Sequence, residues 1–128
     1  MKKILLMGNP NVGKSVIFSR LTGAYVTSSN YPGTTVEFTR GRMKMRDETV
    51  EIIDVPGTYT LEPNSKAEEV AVEMLGSAVE EGDSLVINVV DATNLERNLN
   101  LTLQLLKRDI PVIVCLNMWM RRSTPAWR

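Results

Sequence analysis

The residues richest in chemical possibility are Gly8-Asn9-Pro10-Asn11-Val12-Gly13-Lys14-Ser15, within a chain of 128 residues. Glycines at both ends of such a loop let the backbone bend until its N–H groups converge on phosphate oxygens, and a following helix N-terminus adds positive potential. Lys14 would reach the β- and γ-phosphates, and the Ser15 hydroxyl would hold Mg²⁺. A second candidate is Asp54-Val55-Pro56-Gly57. A carboxylate at the end of a strand, beside a glycine that lets the backbone approach a γ-phosphate, suits the Mg²⁺ shell and the sensing of a third phosphate. Asp-x-x-Gly on its own also describes many ordinary turns.

These groups need elements to hold them. Ile4 to Met7 is an apolar run and Val16 to Leu21 is amphipathic, so the first motif reads as strand, loop and helix, with Thr22-Gly23 ending the helix. Tyr25 to Thr35 is rich in Ser, Thr and Asn and contains Pro32-Gly33, which predicts a mobile loop. Val36 to Met45 and Thr49 to Val55 read as a β-hairpin across Arg46-Asp47-Glu48. A helix is expected over residues 67–79, a doubly buried strand over Leu85 to Val90, and a helix capped by Asp91-Ala92-Thr93-Asn94. That last helix carries Leu95, Leu99, Leu103 and Leu106, taken as its core-facing stripe, and a buried strand from Ile110 to Leu116 follows. Alternating strands and helices predict an α/β fold: a mostly parallel sheet with right-handed crossovers and one antiparallel edge strand. Gly8 to Ser15, Asp54 to Gly57 and Asn117 would then meet at the C-terminal ends of the strands.

Composition narrows the chemistry. Lys plus Arg and Asp plus Glu both number 15, so no polyanion is implied and no nucleic-acid partner is expected. With no histidine and one cysteine, Cys115 in an apolar run, His-based catalysis, the usual zinc sites and an internal disulfide framework are excluded. The hydrophobic content of 43% fits one globular domain. The N-terminal apolar run is too short for a signal peptide and no window approaches a membrane span, so the chain as given reads as cytoplasmic.

The segments GNPNVGKS, NYPGTTVE, DVPGTYTL, INVVDATNLERNLNLTLQLL and VIVCLNM resemble the GTPase domain of the ferrous iron transport protein B family, over residues 1–119. The resemblance implies a P-loop NTPase with a Ras-like G domain, placed at the cytoplasmic face of the bacterial inner membrane. It also implies GTP and GDP as ligands, Mg²⁺, and coupling to helical and iron-permease domains absent from this chain. It places Gly8, Asn9, Pro10, Asn11, Val12, Gly13, Lys14 and Ser15 on the phosphates, with Gly33, Thr34 and Thr35 in the first switch. Asp54 and Gly57 fall in the second switch, and Asn117 and Met118 at the guanine. Mg²⁺ would be held by Ser15, Thr35 and Asp54. Catalytic roles would fall to Asn11, Lys14, Thr35 and Gly57, and members resemble potassium-activated GTPases in which Asn11 would coordinate K⁺. Asn11 could instead only brace the loop backbone, and Thr35 could be an ordinary strand threonine.

Two positions depart from that pattern. Thr58 stands where many small GTPases place a water-orienting glutamine, which predicts slow intrinsic hydrolysis. The guanine motif N-x-x-D begins at Asn117, but its fourth position is Met120, which cannot accept the paired guanine N–H bonds. Residues 120–128 read as an atypical basic tail or as out-of-frame sequence, and the last strand and closing helix of the fold are missing from the expected architecture. Three functions remain open: a GTPase switch for iron(II) uptake, a non-catalytic fragment associating with its own kind through an uncovered face, and an RNA- or ribosome-associated GTPase.

Overall fold

The computed structural model describes residues 2–23 and 26–117. Six strands form one sheet: β1 (Lys3–Gly8), β2 (Val26–Asn30), β3 (Glu37–Met45), β4 (Glu48–Asp54), β5 (Ser84–Asp91) and β6 (Val112–Asn117). Three helices accompany them: α1 (Lys14–Thr22), α2 (Lys66–Glu81) and α3 (Leu95–Leu106). The sheet order is β2-β3-β4-β1-β5-β6. β1 lies parallel between β4 and β5, and β5 pairs parallel with β6. The expected α/β fold is therefore present.

β1 is central because its residues are apolar on both faces. Leu5 and Met7 join Val55, Val70, Leu75, Val86, Leu101 and Leu105 beneath α2 and α3. Ile4 and Leu6 join Phe18, Val50 and Ile52 beneath α1. Each such side chain contributes about 1.5–3 kcal/mol of burial free energy, enough to hold the loop that follows Gly8 on a rigid base.

Besides the run from Ile110 to Leu116, expected to be buried but forming the edge strand β6 with Ile113, Val114 and Leu116 about half exposed, two expectations need correction. The polar segment 25–35 is not all loop, since Val26–Asn30 pairs antiparallel with β3 from Val26 opposite Gly41 to Asn30 opposite Glu37. Edge strands tolerate polar side chains because one face and one edge stay in water, so composition alone reads as loop. In consequence β3, the one strand running against the rest, lies second from the edge rather than at it.

The second correction concerns α3. Leu95, Leu99, Leu103 and Leu106 are exposed, at 40–61% of their surface, while Asn98, Leu101, Thr102 and Leu105 are buried. The inward face is chosen by polar groups that find partners. Asn98 Oδ1 accepts the Asp91 N–H at 3.1 Å, Asn98 Nδ2 donates to the Asn94 carbonyl at 2.8 Å, and the Thr102 hydroxyl donates to Asn88 Oδ1. Asn88 Nδ2 in turn donates to the Met7 carbonyl at 3.2 Å, tying α3 and β5 to β1. Buried polar groups with partners fix a helix rotation that hydrophobic counting misses.

Candidate phosphate-binding site

The phosphate loop leaves β1 at Gly8 and enters α1 at Lys14. Asn11 and Gly13 both take positive φ, 65° and 83°. Left-handed residues set among residues of negative φ can turn successive N–H groups to one concave side, the arrangement that binds anions at the start of a helix. A Cβ on Gly8 would stand 2.7 Å from the Val89 carbonyl oxygen, so only glycine lets β1 end this close to β5. The loop bounds a cavity of about 570 Å³, lined by Asn9 to Val16 together with Gly57.

Asp54 ends β4 in register with Leu6, directly beside the loop. Lys14 Nζ pairs with Asp54 Oδ1, and the two side chains are only 11% and 15% exposed. Each charge needs the other, because an unpaired ion in such a place carries a heavy desolvation cost. A bound polyphosphate would give Lys14 a stronger partner and free the Asp54 carboxylate for a cation. Concave N–H groups, one ammonium, the Ser15 hydroxyl and one carboxylate suit a polyphosphate with a divalent ion.

Gly57 lies on Pro10: a Cβ there would be 3.0 Å from Pro10 Cα. The Thr58 N–H donates to the Gly8 carbonyl at 3.0 Å, and Thr58 is 1% exposed. Its hydroxyl donates to the Thr60 carbonyl at 2.6 Å and does not line the cavity, so it is not directed at a ligand there. Ser65 caps α2 by accepting the Glu68 N–H at 3.1 Å, and Glu68 reaches back to the Asn64 N–H at 2.9 Å. Ser65 thus caps the helix, while Glu68 reaches one residue further back than in a capping box, to the residue before the cap. The Glu68 carboxyl is held below its ordinary value of 4.5, chiefly by the Asn64 N–H against an opposing effect of burial, with help from Tyr59, Thr58 and Ser65.

The structure brings Gly8 to Ser15, Asp54 and Gly57 together, and joins Asn117 to them, since Asn117 Nδ2 donates to the Val12 carbonyl at 2.7 Å. Gly33, Thr34 and Thr35 stand apart in the turn between β2 and β3, outside the cavity lining. That turn closes on itself: Tyr31 N–H donates to the Val36 carbonyl at 2.8 Å, and Thr34 donates to the Tyr31 carbonyl through both its N–H and its hydroxyl. Met118, Met120 and the rest of 118–128 lie outside the described residues. Sequence reasoning missed Arg97, Asn100 and Gln104 of α3, which contact residues 59–61. Their helical spacing of three and four residues was the available signal.

Among the described residues, no helix is long and apolar enough to cross a membrane, and no three His, Cys, Asp or Glu side chains group as a metal site. Comparison with known proteins gives a family match to ferrous iron transport protein B over residues 2–124. The Fe(2+) transporter FeoB of Shigella flexneri is 48% identical over 121 residues, covering 92% of this chain and 16% of that protein. An Fe(2+) transport protein A/FeoB fusion protein of Porphyromonas gingivalis is 48% identical over 117 residues, 91% of this chain and 14% of the fusion. The chain thus spans about one-sixth of the length of these relatives. Among solved structures, an S. thermophilus NFeoB mutant bound to GDP superposes with a TM-score of 0.82 at 45% identity, covering 92% of this chain and 45% of that one. The G domain of T. maritima FeoB superposes with a TM-score of 0.80 at 39% identity, covering 91% of this chain and 71% of that one. A six-stranded sheet in this order, a glycine loop closed by Lys14 and Asp54, and these matches together make the chain a member of the ferrous iron transport protein B family, corresponding to its G domain.

Proposed function

We propose that this chain binds and hydrolyses GTP, as the nucleotide switch of a ferrous iron transporter at the cytoplasmic face of the membrane. One observation carries the reading: a cavity lined by the whole loop from Asn9 to Val16 and by Gly57, with Lys14 already paired to Asp54. The phosphate loop would hold the phosphates, Lys14 the β- and γ-oxygens, and Ser15, Thr35 and Asp54 the Mg²⁺ shell. The Mg²⁺ would neutralise charge on the β- and γ-phosphates. Asn11, exposed at positive φ on the loop, is the residue proposed to take K⁺, placing positive charge where the γ-phosphate becomes more negative.

Thr35 has to move to serve. In the structure it is an exposed residue of the β2–β3 turn, so the first switch would act by leaving that hairpin when a triphosphate arrives. Asn117 braces the loop through the Val12 carbonyl, which favours a role for it in supporting the base. The GDP found with relatives of this fold supports a guanine nucleotide for this chain too. Iron transport would belong to the remaining length of the relatives, which are named Fe(2+) transporters.

Titration with fluorescent GDP, GTP and ATP analogues in Mg²⁺, comparing K⁺ with Na⁺, tests this. A preference for guanine over adenine nucleotides, weakened because Met120 stands where the motif has its acceptor, and K⁺-stimulated phosphate release are expected. Equal affinity for adenine and guanine nucleotides, or no binding, would overturn it.

A further inference from the structure

Three polar side chains of α3 meet the segment just beyond Gly57. The Arg97 guanidinium lies 4.2 Å from the centroid of the Tyr59 ring. Asn100 Nδ2 donates to the Tyr59 carbonyl at 3.3 Å. Gln104 does most: its Oε1 accepts the Leu61 N–H at 2.6 Å, and its Nε2 donates to the Thr60 hydroxyl at 2.9 Å. Leu61 is 6% exposed and belongs to the same buried cluster as Leu101 and Leu105. Its N–H has little access to water, so Gln104 is the partner that satisfies it.

The same helix reaches the phosphate loop. Asn9 is 3% exposed, and its Nδ2 faces the Arg97 carbonyl at 3.5 Å. One face of α3 therefore borders both the phosphate loop and the second-switch segment, while another face is buried through Asn98 and Thr102. Between Gly57 and Leu61 the chain has fixed points at both ends. Thr58 N–H is held by Gly8, and Leu61 N–H is held by Gln104. Gly57 adjoins the first anchor, and with only Tyr59 and Thr60 between the two, the second limits how far the Thr58 end can swing and carry Gly57 over Pro10.

We propose that Gln104 is a positioning residue for the hydrolysis proposed above. It touches neither nucleotide nor the cavity lining, and acts by fixing Thr60 and Leu61 so that the Gly57 N–H meets the γ-phosphate in register. Reacting groups must be placed to within a fraction of an ångström, and a shift of about 1 Å costs about 100-fold in rate. GDP lacks the γ-phosphate, so its affinity is insensitive to this anchor. The inference rests on the GTPase reading.

The test compares the full chain with Gln104→Leu, Gln104→Glu and Thr60→Ala. Leucine removes the amide at nearly constant size, glutamate keeps an acceptor for the Leu61 N–H, and Thr60→Ala removes the hydroxyl from the opposite side. In the nucleotide-free proteins, exchange of the Leu61 amide is expected to quicken at least about tenfold in Gln104→Leu and to stay within about threefold of wild type in Gln104→Glu. With GTP, kcat is expected to fall about tenfold in Gln104→Leu while the GDP dissociation constant stays within about twofold, and Gln104→Glu restores most of the rate. Thr60→Ala should fall between. Unchanged Leu61 exchange, parallel losses of kcat and GDP affinity, or failure of glutamate to rescue would each overturn the proposal. If Gln104→Leu does not fold, Thr60→Ala decides by the same split between kcat and GDP affinity. A wild-type chain that binds no GTP sinks the GTPase reading, whereas an active wild type matched by an equally active Gln104→Leu sinks this inference alone.

Discussion

At Gly8 and Gly57 a single added carbon meets backbone atoms, but of different neighbours. A Cβ at Gly8 would push on the Val89 carbonyl inside the sheet, whereas one at Gly57 would push on Pro10 at the edge of the cavity. Gly8→Ala is therefore expected to lose about 1–3 kcal/mol in urea unfolding, because β1 and β5 must part. Gly57→Ala is expected to unfold near the wild-type midpoint while losing most of the GTP turnover proposed above, because a loop can lift where a sheet cannot. Glu68 makes a second residue-scale prediction through its lowered pKa. A carboxyl whose folded value lies below its ordinary 4.5 favours folding when ionised, so its contribution is full above that value and fades as pH falls through the folded one. Glu68→Gln should thus lower the denaturation midpoint at pH 7, and the gap to wild type should narrow at a pH well below 4.5. An equal gap at both values would mean that the carboxylate charge is not what holds Asn64 and Tyr59.

Helix α3 shows how an element is read wrongly and what that costs. Leu101 is wholly buried and Leu103 is 61% exposed, although both lie among leucines of one amphipathic run. Leu101→Ala is expected to destabilise by about 2–5 kcal/mol, and Leu103→Ala by no more than about 0.5 kcal/mol, as read from urea midpoints. The stripe of Leu95, Leu99, Leu103 and Leu106 read from the sequence predicts the opposite order. The buried face was hidden in the sequence because Asn98 and Thr102 look like surface residues until Asp91 and Asn88 are brought beside them. β2 was hidden for a related reason, since Val26–Asn30 is polar and becomes a strand only through pairing with β3. Elements with a strong local signal were legible: the hairpin of β3 and β4, the Val- and Ile-rich β5, and α2 through the helical spacing of its apolar residues, although its Ser65 cap went unread. Of the site, Gly8 to Ser15, Asp54 and Gly57 were legible because their spacing is itself the chemistry. The contacts of Gln104 and Arg97 with residues 59–61 were not, because helical spacing puts the α3 residues on one face but says nothing of which segment, some forty residues away, that face meets.

On the scale of the molecule, the cavity is where separate parts of the fold are tied together. β1 supplies the loop, β4 supplies Asp54, β6 supplies Asn117 on the Val12 carbonyl, and α3 holds the segment beyond Gly57. A ligand seated there touches or borders all of them, so binding should stabilise the whole chain rather than one loop. At 100 times its dissociation constant a ligand specific to the folded state adds about 2.7 kcal/mol, which for a domain of this size raises the melting temperature by about 10 °C. GDP with Mg²⁺ is expected to give a shift of this order in scanning calorimetry. Lys14→Ala should abolish most of it, since the loop then lacks its only ammonium on the phosphates. Asn117→Ala should reduce it by releasing the loop from β6, while leaving Lys14 and Asp54 in place. A full shift in Lys14→Ala would place the nucleotide elsewhere on the molecule. A full shift in Asn117→Ala would mean that β6 serves the sheet and not the site.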